Sequence, residues 1–240
     1  MNKKKVSIIT LGLTSLAIVA GVGIYGVLNN KENNKAENIT ANIENNVDAI
    51  EDKQIVINKT NEADLLIDYS KMENMLKESD AIAIVKVEAA KGQNYNPVRK
   101  EYVPIYTTGT LKVNKVVKNI NNAKVVEGES IEFVRLGGKI KYSEYLKGLT
   151  EAERTKIESV VNSNEKMRNA NEKDNIVIND KFLDDIEIEE GKEYVVFLKY
   201  VSDYEKYNIV GFEHGLREYN SEDNTMKNNT TREYESLDII

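Results

Sequence analysis

The sequence predicts a mainly β protein: a small antiparallel barrel with attached helices, preceded by a single N-terminal transmembrane helix. Three observations carry this. Val6 to Leu28 runs for 23 residues without a charged side chain. Beyond Ala81, apolar residues recur with period two in short runs separated by turn residues. The runs show no β-α-β alternation, which points to an antiparallel sheet curled on itself.

The N-terminal element comes first. At about 1.5 Å per residue, the charge-free run is long enough to cross a hydrocarbon core of roughly 30 Å. Lys3, Lys4 and Lys5 precede it. Cationic flanks stay on the cytoplasmic side, so residues 1–5 are expected inside, 6–28 in the bilayer and the rest outside. A cleaved secretory signal is the alternative, and it would leave a secreted protein. Signal cores usually span about 7–15 residues and end in small-x-small sites. Here the run continues past Ala20 and Gly23 to Leu28 with no Ala-x-Ala, which favours an uncleaved anchor. Residues 29–54 are rich in Asn, Glu and Lys and read as a disordered polar stalk.

Folding is expected from residue 55 to 220. Ser70 and Glu73 have capping-box spacing, and Leu66, Tyr69, Met72, Met75 and Leu76 follow at helical intervals. Ala81 to Ala89 alternates as a strand, with Ala81, Ala83, Val85 and Val87 on one face. Gly92 to Pro104 holds both prolines and reads as a loop. Ile105 to Lys118 is a long strand with Gly109 inside it, a position for a sharp bend. Ser130 to Leu136 follows the turn at Glu127–Glu129 and stops at Gly137 and Gly138.

The period then changes. Residues 141–173 read as a helical insertion, with a second capping box at Thr150 and Glu153 and Ile157, Val160 and Val161 at helical spacing. Strands resume at Ile176–Ile178, Glu193–Val201, Tyr207–Phe212 and Leu216–Tyr219. Ile186 and Ile188 alternate with Glu187 and Glu189 as in an edge strand with a solvated face. Residues 221–240 form a polar tail or a final hairpin.

Several stretches together resemble a known pattern: Ser79-Asp-Ala-Ile-Ala-Ile-Val-Lys-Val87, Leu111-Lys-Val-Asn-Lys-Val-Val-Lys118, Glu127-Gly-Glu-Ser-Ile-Glu-Phe-Val-Arg-Leu-Gly-Gly138, Glu190-Gly-Lys-Glu-Tyr-Val-Val-Phe-Leu198 and Asn208-Ile-Val-Gly-Phe212. They are similar to uncharacterised exported bacterial proteins with a netrin-like, or tissue-metalloproteinase-inhibitor-like, OB barrel. The resemblance spans roughly residues 62 to 220 and implies a barrel with a binding face. In the animal inhibitors an N-terminal cysteine chelates the target's zinc. This chain has no cysteine, so that mechanism does not transfer.

Composition narrows the function. The net charge is −7; without Lys3, Lys4 and Lys5 the chain carries 30 basic and 40 acidic residues, or −10. Such an exterior argues against nucleic acid as a partner. The absence of cysteine excludes disulfides and a thiol nucleophile. Abundant Ile, Asn, Lys and Glu with two prolines and no tryptophan suggest a bacterial source of low GC content.

Catalytic patterns are sparse. His214 is the sole histidine and reads as a turn residue rather than a general base. No nucleophile elbow, phosphate loop or dinucleotide fingerprint occurs, and no cofactor is expected. Asp184, Asp185 and Glu187 are a weak calcium candidate, since calcium takes carboxylate oxygens. The 13 tyrosines are more telling: Tyr194, Tyr200, Tyr204 and Tyr207 crowd one hairpin and are the candidate binding residues. Tyr95, Tyr102, Tyr106, Tyr142 and Tyr145 sit in or beside expected loops. The resulting expectation is a non-enzymatic, membrane-anchored extracellular domain that binds an envelope component or a partner protein. Its alternatives are a carboxylate-dependent envelope hydrolase and a structural ectodomain of a membrane complex.

Overall fold

The computed structural model describes residues 8–10, 43–44, 55–61, 67–121, 123–163, 175–182 and 185–240. Lys3, Lys4, Lys5, Val6 and Leu28 lie outside the described residues, as do most of the expected anchor, almost all of the stalk, Leu66 and Asp184. Within 6–28, the three described residues form strand β1 (Ile8–Thr10), which pairs with β2 (Ile43–Glu44) and with β3 (Ile55–Asn61). Among the described residues no helix is long and apolar enough to cross a membrane.

The first helix, α1 (Met72–Glu78), shows how local signals settle. Ser70 does not cap it. The Ser70 hydroxyl and N–H both donate to Asp68, and the residue at the cap, Lys71, makes no side-chain capping bond and pairs with Asp68 instead. Met75 is buried and anchors the helix.

Strands β4 (Ala81–Asn96) and β5 (Glu101–Asn119) form one long hairpin. The segment read as a loop is therefore mostly ladder, and only residues 97–100 turn. Pro104 is tolerated because the pairing shifts register between Gln93 and Tyr95, opposite it, where no proline N–H is required. Gly109 is a true requirement of the bend. A Cβ there would lie 1.8 Å from the Ala89 carbonyl oxygen, where the ladder shifts between Val87 and Ala89.

Strand β6 (Ser130–Leu136) follows, and a corner at Gly137 and Gly138, with φ of 80° and 140°, swings the chain into β7 (Gly138–Lys141). Helices α2 (Tyr142–Lys147) and α3 (Glu151–Ser163) occupy the expected insertion. At α3 the capping box forms: Thr150 N–H donates to Glu153, and Glu153 N–H donates back to Thr150 Oγ1. Strand β8 (Ile176–Phe182) leads to an extended strap at 185–190 that joins no ladder, in place of the expected edge strand. The chain finishes with β9 (Glu193–Val201), β10 (Lys206–Ile209), β11 (Leu216–Asn220), β12 (Thr225–Lys227) and β13 (Tyr234–Ser236).

Two sheets result. One has the order β2-β1-β3-β8-β7, and the other β10-β6-β5-β4-β9-β11-β12-β13 with an additional β10–β9 pairing. The eight-stranded sheet as a whole is not a closed barrel, because it runs on past β9 into β11–β13. The sheets are not purely antiparallel either. β3 and β8 run parallel over seven pairs, and β6 and β10 over two. The final segment is more than a tail: β12 and β13 extend the sheet, and Met226 and Leu237 are buried.

Four apolar clusters among the described residues hold these layers together, the smallest of them Tyr106, Val134, Val201 and Tyr204. Ala81, Ala83, Val85, Leu111, Phe133 and Val196 fill the inner face of the large sheet. Ile82, Ile84, Val195 and Phe197 face the other way, against Tyr69 and Met75 of the α1 region. β4 and β9 are thus covered on both sides, which explains why both are rich in β-branched residues. The third cluster packs Tyr142, Leu146, Ile157 and Val161 of the helices on Ile57, Ile140 and Ile178 of the smaller sheet.

Candidate functional site

The four tyrosines singled out on the β9–β10 hairpin do not share a surface. Tyr194 and Tyr204 are buried, and burial raises the pKa of both. Tyr194 Oη accepts from the Glu189 N–H at 3.3 Å, and Tyr204 packs edge-on against Tyr106 at 5.1 Å. Tyr200 and Tyr207 are cross-strand partners in an edge-to-face pair at 5.5 Å. Only Tyr200 of the four is strongly exposed. Tyr194 and Tyr200 lie on the same side of β9, Tyr194 inside the packed core and Tyr200 beyond it, so crowding in sequence gives no display shared by all four.

A different pair is displayed. Tyr95 and Tyr102 face each other across the tip of the β4–β5 hairpin, with ring centroids 5.3 Å apart at 68°. They are 42% and 47% exposed, and Val98 between them is 42% exposed. The sequence placed both tyrosines inside the expected Gly92–Pro104 loop and singled out neither as a binding residue.

The tip is held firmly from below. Asn96 is fully buried; its Oδ1 accepts from the N–H groups of Val98 and Arg99 at 2.9 and 3.1 Å. Its Nδ2 donates to the Asp203 carbonyl at 3.0 Å, tying the tip to the β9–β10 turn. Arg99 bridges Glu101 and Asp203. Buried Tyr106, its hydroxyl pushed up to about 12 by desolvation, donates to the Tyr95 carbonyl at 2.8 Å. The pattern asparagine–proline is a turn signal in the sequence, and here the asparagine performs that role with both ends of its amide.

Beside the pair lies a groove of about 340 Å³ lined by Gln93, Asn94, Tyr95, Tyr102, Glu144 and Lys147 together with Ile140. The end of α2 closes on it at Gly148. A Cβ there would stand 2.7 Å from Asn94 Nδ2 and 3.2 Å from Tyr102 Cδ1. Glu144 and Lys147 neutralise each other at 2.7 Å.

A second cavity, about 380 Å³, opens between the sheets and is lined by Gly92, Arg135, Lys139, Asp180, Asp185 and Glu187, among others. Its acids are committed. Asp185 pairs with Arg135, both nearly buried, and Arg135 Nη1 also donates to the Ile186 carbonyl at 2.6 Å. Asp180 accepts from Lys59 at 3.1 Å and from Asn61. Desolvation raises the pKa of both aspartates, and the neighbouring cation in each case works against that rise. Glu187 is exposed and bound by Lys139 at 2.6 Å. Asp185 and Glu187, two members of the calcium candidate, therefore spend their oxygens on cationic side chains. Among the described residues, no group of three or more histidine and acidic side chains is placed to hold a metal ion. His214 Nε2 lies 3.1 Å from Glu213 in the turn preceding β11.

No family model and no curated protein matches the chain.

Proposed function

We propose that this chain is a non-enzymatic binding domain, anchored in a membrane and facing outward, that engages an envelope component or a partner protein. The single observation that carries the binding reading is the exposed Tyr95–Tyr102 pair on a braced hairpin tip. Large apolar side chains left in water on a rigid support are characteristic of recognition surfaces. The anchor rests on the charge-free run from Val6 to Leu28 behind Lys3, Lys4 and Lys5. The bilayer is then the second partner, through residues 6–28, and this reading requires Ile8–Thr10 to leave their pairing with β2 and β3 on entering it.

The finer fold reading is an OB-like barrel within the large sheet. Its support is a circuit of pairings, β4–β5–β6–β10–β9 and back to β4, with the helices inserted between β6 and β9. A five-stranded, partly open barrel of this kind presents loops at its rim, and the β4–β5 tip is such a rim element.

A second reading, a carboxylate-dependent envelope hydrolase, draws on Asp180 and Asp185 lining one cavity with raised pKa values. Each is held by a cation, which suits a structural ion pair better than proton transfer. The test is direct. Full-length chain is incubated with isolated envelope material, and co-sedimentation and release of reducing ends are both measured. The proposal expects saturable co-sedimentation without release. Release abolished by Asp180→Asn or Asp185→Asn would establish the hydrolase instead.

A further inference from the structure

Resting on that binding reading, we infer that the groove between the β4–β5 tip and α2 takes a neutral saccharide chain, stacked on Tyr95 and Tyr102. A pyranose ring has an apolar face of C–H groups and a rim of hydroxyls. It is met by flat aromatic area beside amide donors and acceptors. The groove supplies both: two half-exposed tyrosine rings inclined at 68°, and on its wall the carboxamides of Gln93 and Asn94, whose nitrogens are braced by the Tyr106 hydroxyl and by the Glu144 and Tyr145 carbonyls. Its volume, about 340 Å³, lies at the lower end of the range for small-ligand sites.

Charge selects against anionic ligands. The two ionic side chains lining the groove, Glu144 and Lys147, form an ion pair with each other. Arg99, the nearest buttress of the tip, is engaged by Glu101 and Asp203. A phosphate or carboxylate entering the groove would compete with Glu144 for Lys147, whereas a neutral sugar leaves that pair intact.

Preorganisation favours the same ligand. Single sugar contacts are weak, so a site must spend little on ordering itself. Asn96 and Tyr106 fix the backbone on which the rings stand, and Gly148 lets the end of α2 pack directly against Tyr102 and Asn94. A tyrosine has only two side-chain torsions to restrict when it binds.

The test titrates full-length chain, in a detergent free of sugar headgroups, with a β-1,4-linked N-acetylglucosamine trimer. Tyrosine fluorescence reports binding, since the chain has no tryptophan. The inference expects a saturable signal that weakens tenfold or more in Tyr95→Ala and Tyr102→Ala. Tyr102→Phe should keep it, because the stacking face remains, and Tyr200→Ala should leave it unchanged. No saturable signal with this trimer or with a neutral hexose trimer overturns the inference, as does equal binding by Tyr95→Ala and Tyr102→Ala. Co-sedimentation with isolated envelope material separates the two levels. If Tyr95→Ala and Tyr102→Ala lose co-sedimentation while neither trimer competes, the saccharide assignment falls and the binding reading stands, with a protein as the partner. If wild type does not co-sediment at all, both fall.

Discussion

At the β4–β5 tip, Tyr95 and Tyr102 leave 42% and 47% of their surface in water, while on β9 and the turn after it Tyr194 and Tyr204 keep 1% and 4%. The two hairpins touch, through Asn96 and the Asp203 carbonyl and through the Tyr106–Tyr204 ring contact. One uses tyrosine as core and the other as display. Where β9 lies between β4 and β11 it is packed on both faces, so Tyr194 and Phe197 have apolar partners, whereas Tyr200 near its far end is 51% exposed. The β4–β5 tip lies beyond those layers and offers no such cover. Place in the sheet, rather than residue type or local density, decides what a tyrosine does.

That contrast can be broken by mutation. Tyr194→Ala should destabilise the fold by about 3–5 kcal/mol, as for other large aromatic deletions in a core, read by denaturant unfolding. A loss below about 1 kcal/mol would mean that β9 is not the packed strand described here.

The ion pairs on the strap carry the same lesson. Arg135–Asp185 is nearly buried and Lys139–Glu187 is exposed, yet both hold the segment that crosses the inter-sheet cavity. Arg135→Ala strands a buried carboxylate and should cost about 3–5 kcal/mol near neutral pH, whereas Lys139→Ala should cost under about 1 kcal/mol. The sign of the pH dependence follows from the raised pKa of Asp185. An acid with a raised folded pKa binds more protons folded than unfolded, so stability falls as pH rises from the unfolded value of 3.8 through the folded one. The Arg135→Ala penalty should therefore shrink on acidification. A penalty that grows at low pH would contradict the pairing.

The two capping boxes give a smaller version. Thr150→Ala should cost about 1 kcal/mol, because Thr150 and Glu153 bond reciprocally at the start of α3. Ser70→Ala should cost less, since Ser70 bonds Asp68 and leaves α1 uncapped. Thermal unfolding of the pair distinguishes them.

Much of the fold was legible because it follows from period and punctuation. The alternation through Ala81, Ala83, Val85 and Val87 predicted β4; Glu193 to Val201 is strand β9 at the predicted bounds; the change of period after Lys141 predicted the helices. What failed depended on contacts distant in sequence. Gln93–Asn96 and Glu101–Pro104 contain the residues of a loop, but pairing with each other makes them a ladder. The alternation of Ile186 to Glu189 is real burial, with Ile188 in the core, though no strand lies alongside to pair with it. The parallel β3–β8 pairing joins residues more than a hundred positions apart and leaves no local signal. The site was illegible for the same reason. Nothing within residues 95–102 says that Asn96 reaches Asp203 or that Tyr106 braces Tyr95, and those bonds turn a loop with two tyrosines into a fixed surface.

The displayed pair carries only a small stability effect, and it gives the most direct test. Wild type and the double variant Tyr95→Ala/Tyr102→Ala are compared for co-sedimentation with isolated envelope material and for thermal midpoint. The account predicts that binding is lost while the midpoint moves by no more than about 4 °C, as expected for about 0.5 kcal/mol per exposed site. Binding equal to wild type would contradict it.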